Sequence, residues 1–382
     1  MAAIDPASAR TRWAARTQFF CSGFIFATWG VHIPTVKVHY GIDEAALGLA
    51  MLAAGFGALL GLSQAGRWIG HHGARRVAGL CGTVYAVLLG GIVLMPSYGA
   101  LLALLAMFGL VTSVFDVAIN TEAAQLELQG GQPLMSGMHG MFSLGGMAGA
   151  VTGGAALAAG LPAQQHLWLV AAAMALAVAW AATAMLPRWA TASSHTDNGF
   201  RLPRGALAML GLLAALGLIA EGAIYDWSVL YLQQELGSPQ QQAALAYASF
   251  SAAMAAARFG GDAMRARFAP TTLLRGSALI AALAMTLVLF TGTPWIALLG
   301  FAGVGVGFAN VVPILFSASA RVPGVDPARG IASVSAAAYL GFMAGPPAIG
   351  LLTRAMSLTM ALGVVVIFAL ALAASARHAA AR

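Results

Sequence analysis

Charge is scarce in this chain. Asp, Glu, Lys and Arg together make up 8% of 382 residues, against about 25% in soluble domains. So little charge cannot hydrate the surface of a fold this large, which excludes water as the main solvent. Cysteine is nearly absent: Cys21 and Cys81 both lie in apolar runs and read as buried packing thiols, which excludes a disulfide framework. Metal-ligand spacing, a catalytic triad and a phosphate-binding loop are also missing. Gly303-x-Gly305-x-Gly307 has no strand before it and lies inside an apolar run, so it reads as a site of close helix contact. No metal or cofactor is called for. A net charge of +7 with a pI near 10.0 would suit nucleic acid, but the cations are scattered singly rather than set in a stripe, which excludes that partner.

What is present is apolar. Hydrophobic residues account for 60% of the chain and there are 46 glycines, with a mean hydropathy of +0.83. A membrane helix needs about 20 apolar residues. Twelve such runs lie near 17–36, 45–66, 77–95, 99–121, 135–160, 166–186, 205–233, 241–263, 271–291, 294–318, 330–353 and 357–376. The expectation is an all-α integral membrane protein. It divides into a six-helix bundle over 1–186, a linker over 187–204 and a second six-helix bundle over 205–382. The first run follows Arg10, Arg12 and Arg16 and exceeds signal-peptide length, so it reads as a retained span.

Of the 19 cations, every one except Lys37 and Arg354 falls on one side when the breaks are taken alternately. That bias predicts a plasma-membrane protein, in the bacterial inner membrane, with both termini cytoplasmic. One break, near 122–133, carries Glu122 and Glu127 and no cation, which the bias does not explain.

The halves repeat weakly. Leu144-Gly145-Gly146-Met147-Ala148-Gly149 recurs as Leu340-Gly341-Phe342-Met343-Ala344-Gly345 at an offset of 196. At an offset of 198, Trp29 meets Trp227 and Arg67 meets Arg265. Parallel duplication of a six-helix unit is one architecture of secondary transporters.

On these features the chain resembles the major facilitator superfamily over nearly its whole length. Gly66-Arg67-Trp68-Ile69-Gly70-His71-His72-Gly73-Ala74-Arg75-Arg76 is similar to that family's G-x-L-x-D-R-x-G-R-R signature, with Gly70 in place of the Asp and His71 in place of the following Arg. Gly261-Asp262-Ala263-Met264-Arg265-Ala266-Arg267 keeps the Asp. The resemblance implies a cytoplasmic latch made by Arg67, Arg75, Asp262 and Arg265. Asp116-Val117-Ala118-Ile119-Asn120, followed by Met138-His139-Gly140-Met141-Phe142-Ser143-Leu144-Gly145, resembles the fucose permease branch of sugar:proton symporters. This implies Asp116 as a proton-carrying acid, with His139 at the position of that branch's Gln. The acid that the branch has in span 1 is missing; Thr28-Trp29-Gly30-Val31-His32 stands there instead.

Ionisable groups within hydrocarbon each need a reason. Thr112, Asp116 and Asn120 share one helix face at four-residue spacing, and Ser136, His139 and Ser143 make a comparable stripe on the next span. A turn centred near residue 127 would put Asp116 and His139 at one depth, as a pair or bridged by water. The alternative is a core histidine bonded to a backbone carbonyl. Span 7 carries Glu221 and Tyr225 on one face, with Asp226 rotated from Glu221 by about 140°. Glu221 is the second proton-coupling candidate, whereas Asp226 could bind substrate or pair between helices. Asn120, His139, Tyr225, Asn310, His32, Trp29 and Asp226 are the substrate-binding candidates, and packing is the competing role for the aromatic ones. Arg258 reads as a snorkelling or latch residue. Gly341-x-x-x-Gly345-Pro346-Pro347 would thin and kink span 11.

The expected function is a secondary transporter, not an enzyme, that acts as a monomer. It would move a small neutral or zwitterionic solute, a sugar among the possibilities, by proton-coupled alternating access, with the proton gradient as driving force. The alternatives are proton-antiport efflux of amphipathic compounds and a non-transporting membrane sensor.

Overall fold

The computed structural model describes residues 8–130, 134–187, 204–325 and 327–379, with the side chains of 262, 266, 327–329 and 332 outside that description. The described residues are helices and their connections. The first six are α1 (Ala9–Tyr40), α2 (Glu44–His72), α3 (Ala74–Leu89), α4 (Tyr98–Gly130), α5 (Met135–Ala158) and α6 (Ala163–Ala182). After the break come α7 (Ala206–Gln234), α8 (Gln240–Phe259), the short α9 (Gly261–Arg267) and α10 (Pro270–Phe290). Then come α11 (Pro294–Phe308), α12 (Val311–Ser319), α13 (Pro327–Leu352) and α14 (Leu358–Ala374), followed by a short 3-10 turn, Ala376–Ala379. Nine spans among the described residues are long and apolar enough to cross a membrane, with α11 and α12 together forming one of them. Helices α3, α8 and α14 stand where the other three spans are expected.

The helix boundaries follow from local chemistry. Ser8 caps α1 by accepting from the Thr11 N–H at 3.2 Å, and Gly41 ends that helix at φ 61, a conformation that costs glycine little. Gly73, at φ 82, makes the whole turn between α2 and α3. The tight turn therefore explains the glycine of the signature-like segment. Ser357 caps α14 through the Met360 N–H at 3.3 Å. Glu235 supports the same terminus, accepting from the Leu358 N–H at 3.1 Å and the Thr359 hydroxyl at 2.6 Å.

Two units emerge from the packing: Met1–Ile42 with Ala50–His195, and Asp43–Leu49 with Thr196–Arg382. The first turn of α2 thus groups with the second unit. There Glu44 accepts from Gln234 Nε2 at 3.0 Å, and a Cβ on Gly48 would come within 3.1 Å of the Pro347 Cα. The linker expected at 187–204 lies almost wholly outside the described residues.

The sequence repeat reappears as a packing repeat. In the first unit α5 packs chiefly on α1, and a Cβ on Gly145 or Gly149 would meet the carbonyl of Phe20 or Phe24. In the second unit α13 packs chiefly on α7, with Gly341 against Ala215 and Gly345 against Ile219. Missing side chains let these backbones approach closely, which is how membrane helices gain packing energy. Gly305 and Gly307 act likewise, against the Phe250 carbonyl and Ala281.

Helix α4 resolves the acidic break near 122–133. At 33 residues it is about 50 Å long, longer than the roughly 30 Å hydrocarbon core, so its polar end looks like a loop in the sequence. Glu127 Oε2 accepts from the backbone N–H groups of Leu134 and Met135 at 2.8 and 3.0 Å. It thereby caps α5, whose preceding residue Leu134 offers no capping side chain. Glu122, fully buried, accepts from the Leu186 N–H at 2.6 Å beyond the end of α6. Both acids serve orphan backbone donors, and Arg75 of α3 lies within electrostatic range of Glu122. Replacing Glu127 by alanine is expected to cost about 1–2 kcal/mol, seen as a lowered thermal midpoint. Glutamine, which keeps an acceptor, should recover most of it.

Candidate functional site

Each unit contains a polar cluster within apolar helices. In the first, Asn120 Nδ2 donates to the Asp116 backbone carbonyl at 2.9 Å and to Asp116 Oδ1 at 3.1 Å. The four-residue spacing makes this bond possible, because one helical turn stacks the two side chains. The Thr112 hydroxyl, one turn earlier, donates to the Phe108 carbonyl at 2.6 Å. Tyr85 of α3, fully buried with its hydroxyl unpaired among the described residues, lies within electrostatic range of Asp116. Asp116 and Asn120 are themselves half-buried. The result is a half-buried carboxylate held by an amide, a group whose chemistry includes taking up a proton.

His139 sits on α5, whose principal neighbour is α1 and which touches α4 only lightly. Its ring meets Phe19 of α1 edge-on, with centroids 5.5 Å apart, and its backbone carbonyl accepts from the Ser143 hydroxyl at 3.3 Å. Consecutive spans joined by a short connection are thus not the closest packing partners here. His32 is fully buried, and both of its ring nitrogens have partners: Thr35 Oγ1 at 3.3 Å and His166 Nδ1 at 2.9 Å. Trp29 is buried one turn earlier. Of the latch candidates, Arg67 is exposed on α2, and Arg75 opens α3 within electrostatic range of Glu122. With Gly70 replacing the family's Asp, Glu122 supplies the nearby negative charge.

In the second unit, Glu221 of α7 forms an ion pair with Arg258 of α8, 3.0 Å between Oε1 and a guanidinium nitrogen, with side-chain exposures of 7% and 12%. Arg258, expected to snorkel or latch, instead neutralises an acid inside the bundle. Asn310 lies 6% exposed at the break between α11 and α12. Its amide oxygen packs against Gly261, where a Cβ would come within 2.7 Å of it. One turn from Glu221, Gly217 packs against Val311, so the ion pair and the helix break belong to one neighbourhood. Broken helices at such places expose backbone dipoles to ligands and ions.

Tyr225 is buried in an aromatic group. Its ring lies 5.1 Å from Tyr247 and 5.0 Å from Phe250, and its hydroxyl is 3.5 Å from Met254 Sδ. Asp226 is 5% exposed, and the neighbouring Trp227 Nε1 is buried without a hydrogen-bond partner. Arg265 lies part-buried on α9, while the side chain of Asp262 is outside the described residues. No group of three or more potential metal ligands occurs among the described residues.

Glu122, Tyr85 and His166 are not marked as site residues by the sequence. Glu122 stands in a polar stretch that looks like a loop, and His166 stands at the edge of an apolar run. Tyr85 carried no local signal.

The profile of the Major Facilitator Superfamily matches residues 17–328. An uncharacterized MFS-type transporter of Yersinia pestis is 34% identical over 364 residues, covering 95% of this chain and 94% of that protein. Membrane protein MosC of Rhizobium meliloti is 32% identical over 358 residues, 94% and 87% of the two chains. Among solved structures, a nucleoside transporter, NupG, superposes with a TM-score of 0.76 at 14% identity over 97% of this chain and 99% of its own. The E. coli fucose:proton symporter FucP gives 0.67 at 18%, over 97% and 98%. The profile and the relatives describe transporters rather than enzymes, and the chain belongs to the major facilitator superfamily.

Proposed function

We propose that this transporter is proton-coupled and moves a small neutral or zwitterionic solute. The observation that carries this reading is the Glu221–Arg258 pair, set inside apolar helices beside the break at Asn310. An intramembrane ion pair is costly unless it is used, and this one is self-neutralising, so it places no net charge before a solute. Protonation of Glu221 would release Arg258, giving a site with two electrostatic states that a solute can bias. Asp116, held by Asn120, is the second proton site. Asn120, His139, Asn310, Tyr225 and Asp226 are the groups assigned to solute recognition. Structures of similar fold include the fucose:proton symporter, a D-xylose-proton symporter and a nucleoside transporter, which makes sugars and nucleosides the first solutes to offer.

The test is solute-driven proton movement in proteoliposomes, with sugars, nucleosides and amino acids offered in turn. One class should acidify the lumen as it enters. Asp116→Asn and Glu221→Gln should each abolish accumulation driven by a pH gradient while leaving solute exchange at equal concentrations. Proton movement opposite to the solute would instead favour efflux by antiport. Undiminished accumulation by both variants would overturn the assignment.

A further inference from the structure

The buried contact between His32 and His166 is used by none of the chemistry above. His32 Nε2 and His166 Nδ1 stand 2.9 Å apart and join α1 to α6, and His32 Nδ1 lies 3.3 Å from Thr35 Oγ1. The residues are 0% and 5% exposed. At that separation one of the facing nitrogens carries the hydrogen and the other accepts. His166 Nε2 makes no hydrogen bond among the described residues, which leaves one open nitrogen on the pair.

We propose that His32 and His166 form a proton-binding clasp within the first unit, separate from Asp116. Proton counting gives its behaviour. The neutral pair holds two N–H groups, and one further proton can be added while a single N–H···N bond survives between the rings. A second further proton places an N–H on both facing nitrogens, at a distance where two cations and two donors repel. The doubly protonated clasp must therefore open. Among the described residues, neither ring has an acidic hydrogen-bond partner. Over 140–158, α5 carries no titratable side chain, and it faces Val31 with Gly153. Helix α6 carries only His166; α3 offers Arg75, Arg76, Cys81 and Tyr85; α4 offers Tyr98, Asp116, Glu122 and Glu127. On α1 itself the nearest are Lys37, His39 and Tyr40.

Free imidazoles take up protons near pH 6.5, so acid favours any state in which the rings have separated. The purified full chain should lose thermal stability between pH 7.5 and 5.0 by about 2–4 °C more than His32→Gln or His166→Gln, which keep a polar group but do not titrate. Parallel pH profiles in wild type and both variants would overturn the proposal. A second measurement keeps both histidines intact. Spin labels at Val38→Cys and Trp168→Cys, 78% and 54% exposed at those positions, should show a longer or broader α1–α6 distance at pH 5.0 than at 7.5. An unchanged distance would count against the clasp even if the glutamine variants failed to fold. Neither readout depends on Asp116 or Glu221 carrying protons.

Discussion

Methionine in place of Arg258 is expected to destabilise the protein by about 3–5 kcal/mol, because it strands the Glu221 carboxylate in an apolar interior. The two side chains are only 7% and 12% exposed, so water cannot take over the lost partner. Glu221→Gln should be milder. Arg258 lies in the last turn of α8, from which a long side chain can swing its charge toward the membrane surface. The double variant Glu221→Gln/Arg258→Met removes both charges and should recover most of the loss. Thermal midpoints of the three purified proteins would separate a charge effect from a packing effect. A double variant as unstable as Arg258→Met would show that the stem of the arginine, rather than its charge, holds the helices.

The second large effect concerns packing. Valine at Gly145 is expected to prevent α5 from seating on α1, because its Cβ would fall on the Phe20 carbonyl. Backbone atoms in a helix cannot swing aside as a flexible side chain can, so the helices must separate and lose contact along the seam. Overpacking of a core costs about 1–3 kcal/mol or more, and loss of folded protein during purification is the expected reading. Gly276→Val serves as the control, since a Cβ there would meet nothing within 4 Å. Equal yields for the two variants would show that the α1–α5 approach is not needed for folding.

The fold was more legible than the site. Long apolar runs with turn residues between them marked the spans, and Leu144–Gly149 against Leu340–Gly345 marked a repeat that the structure realises as matched helix seams. The polar residues are not duplicated along with those seams. At an offset of 196, Asp116 and Asn120 correspond to Val312 and Phe316, so the scaffold repeats while its chemistry does not. Asp116 with Asn120 was readable because the bond lies within one helix turn. Glu221 with Arg258, and His32 with His166, are separated by 37 and 134 residues, and no periodicity within a helix reveals a partner on another. The end of α4 is obscured for a different reason. Polar residues past the hydrocarbon boundary look like a loop, although the helical ladder continues to Gly130.

Helix α13 continues through Pro346 and Pro347. Neither has an N–H, so two rungs of its ladder are missing, and the carbonyls of Phe342 and Met343 have no donor one turn along. Gly341 and Gly345 sit just before them, so the same stretch has both its thinnest wall and its weakest internal bonding. Bending costs least where fewest bonds must stretch. Deuterium uptake during slow exchange should therefore reach the amides flanking residues 342–347 sooner than those of α5, which has a glycine seam of its own against α1 but an unbroken ladder.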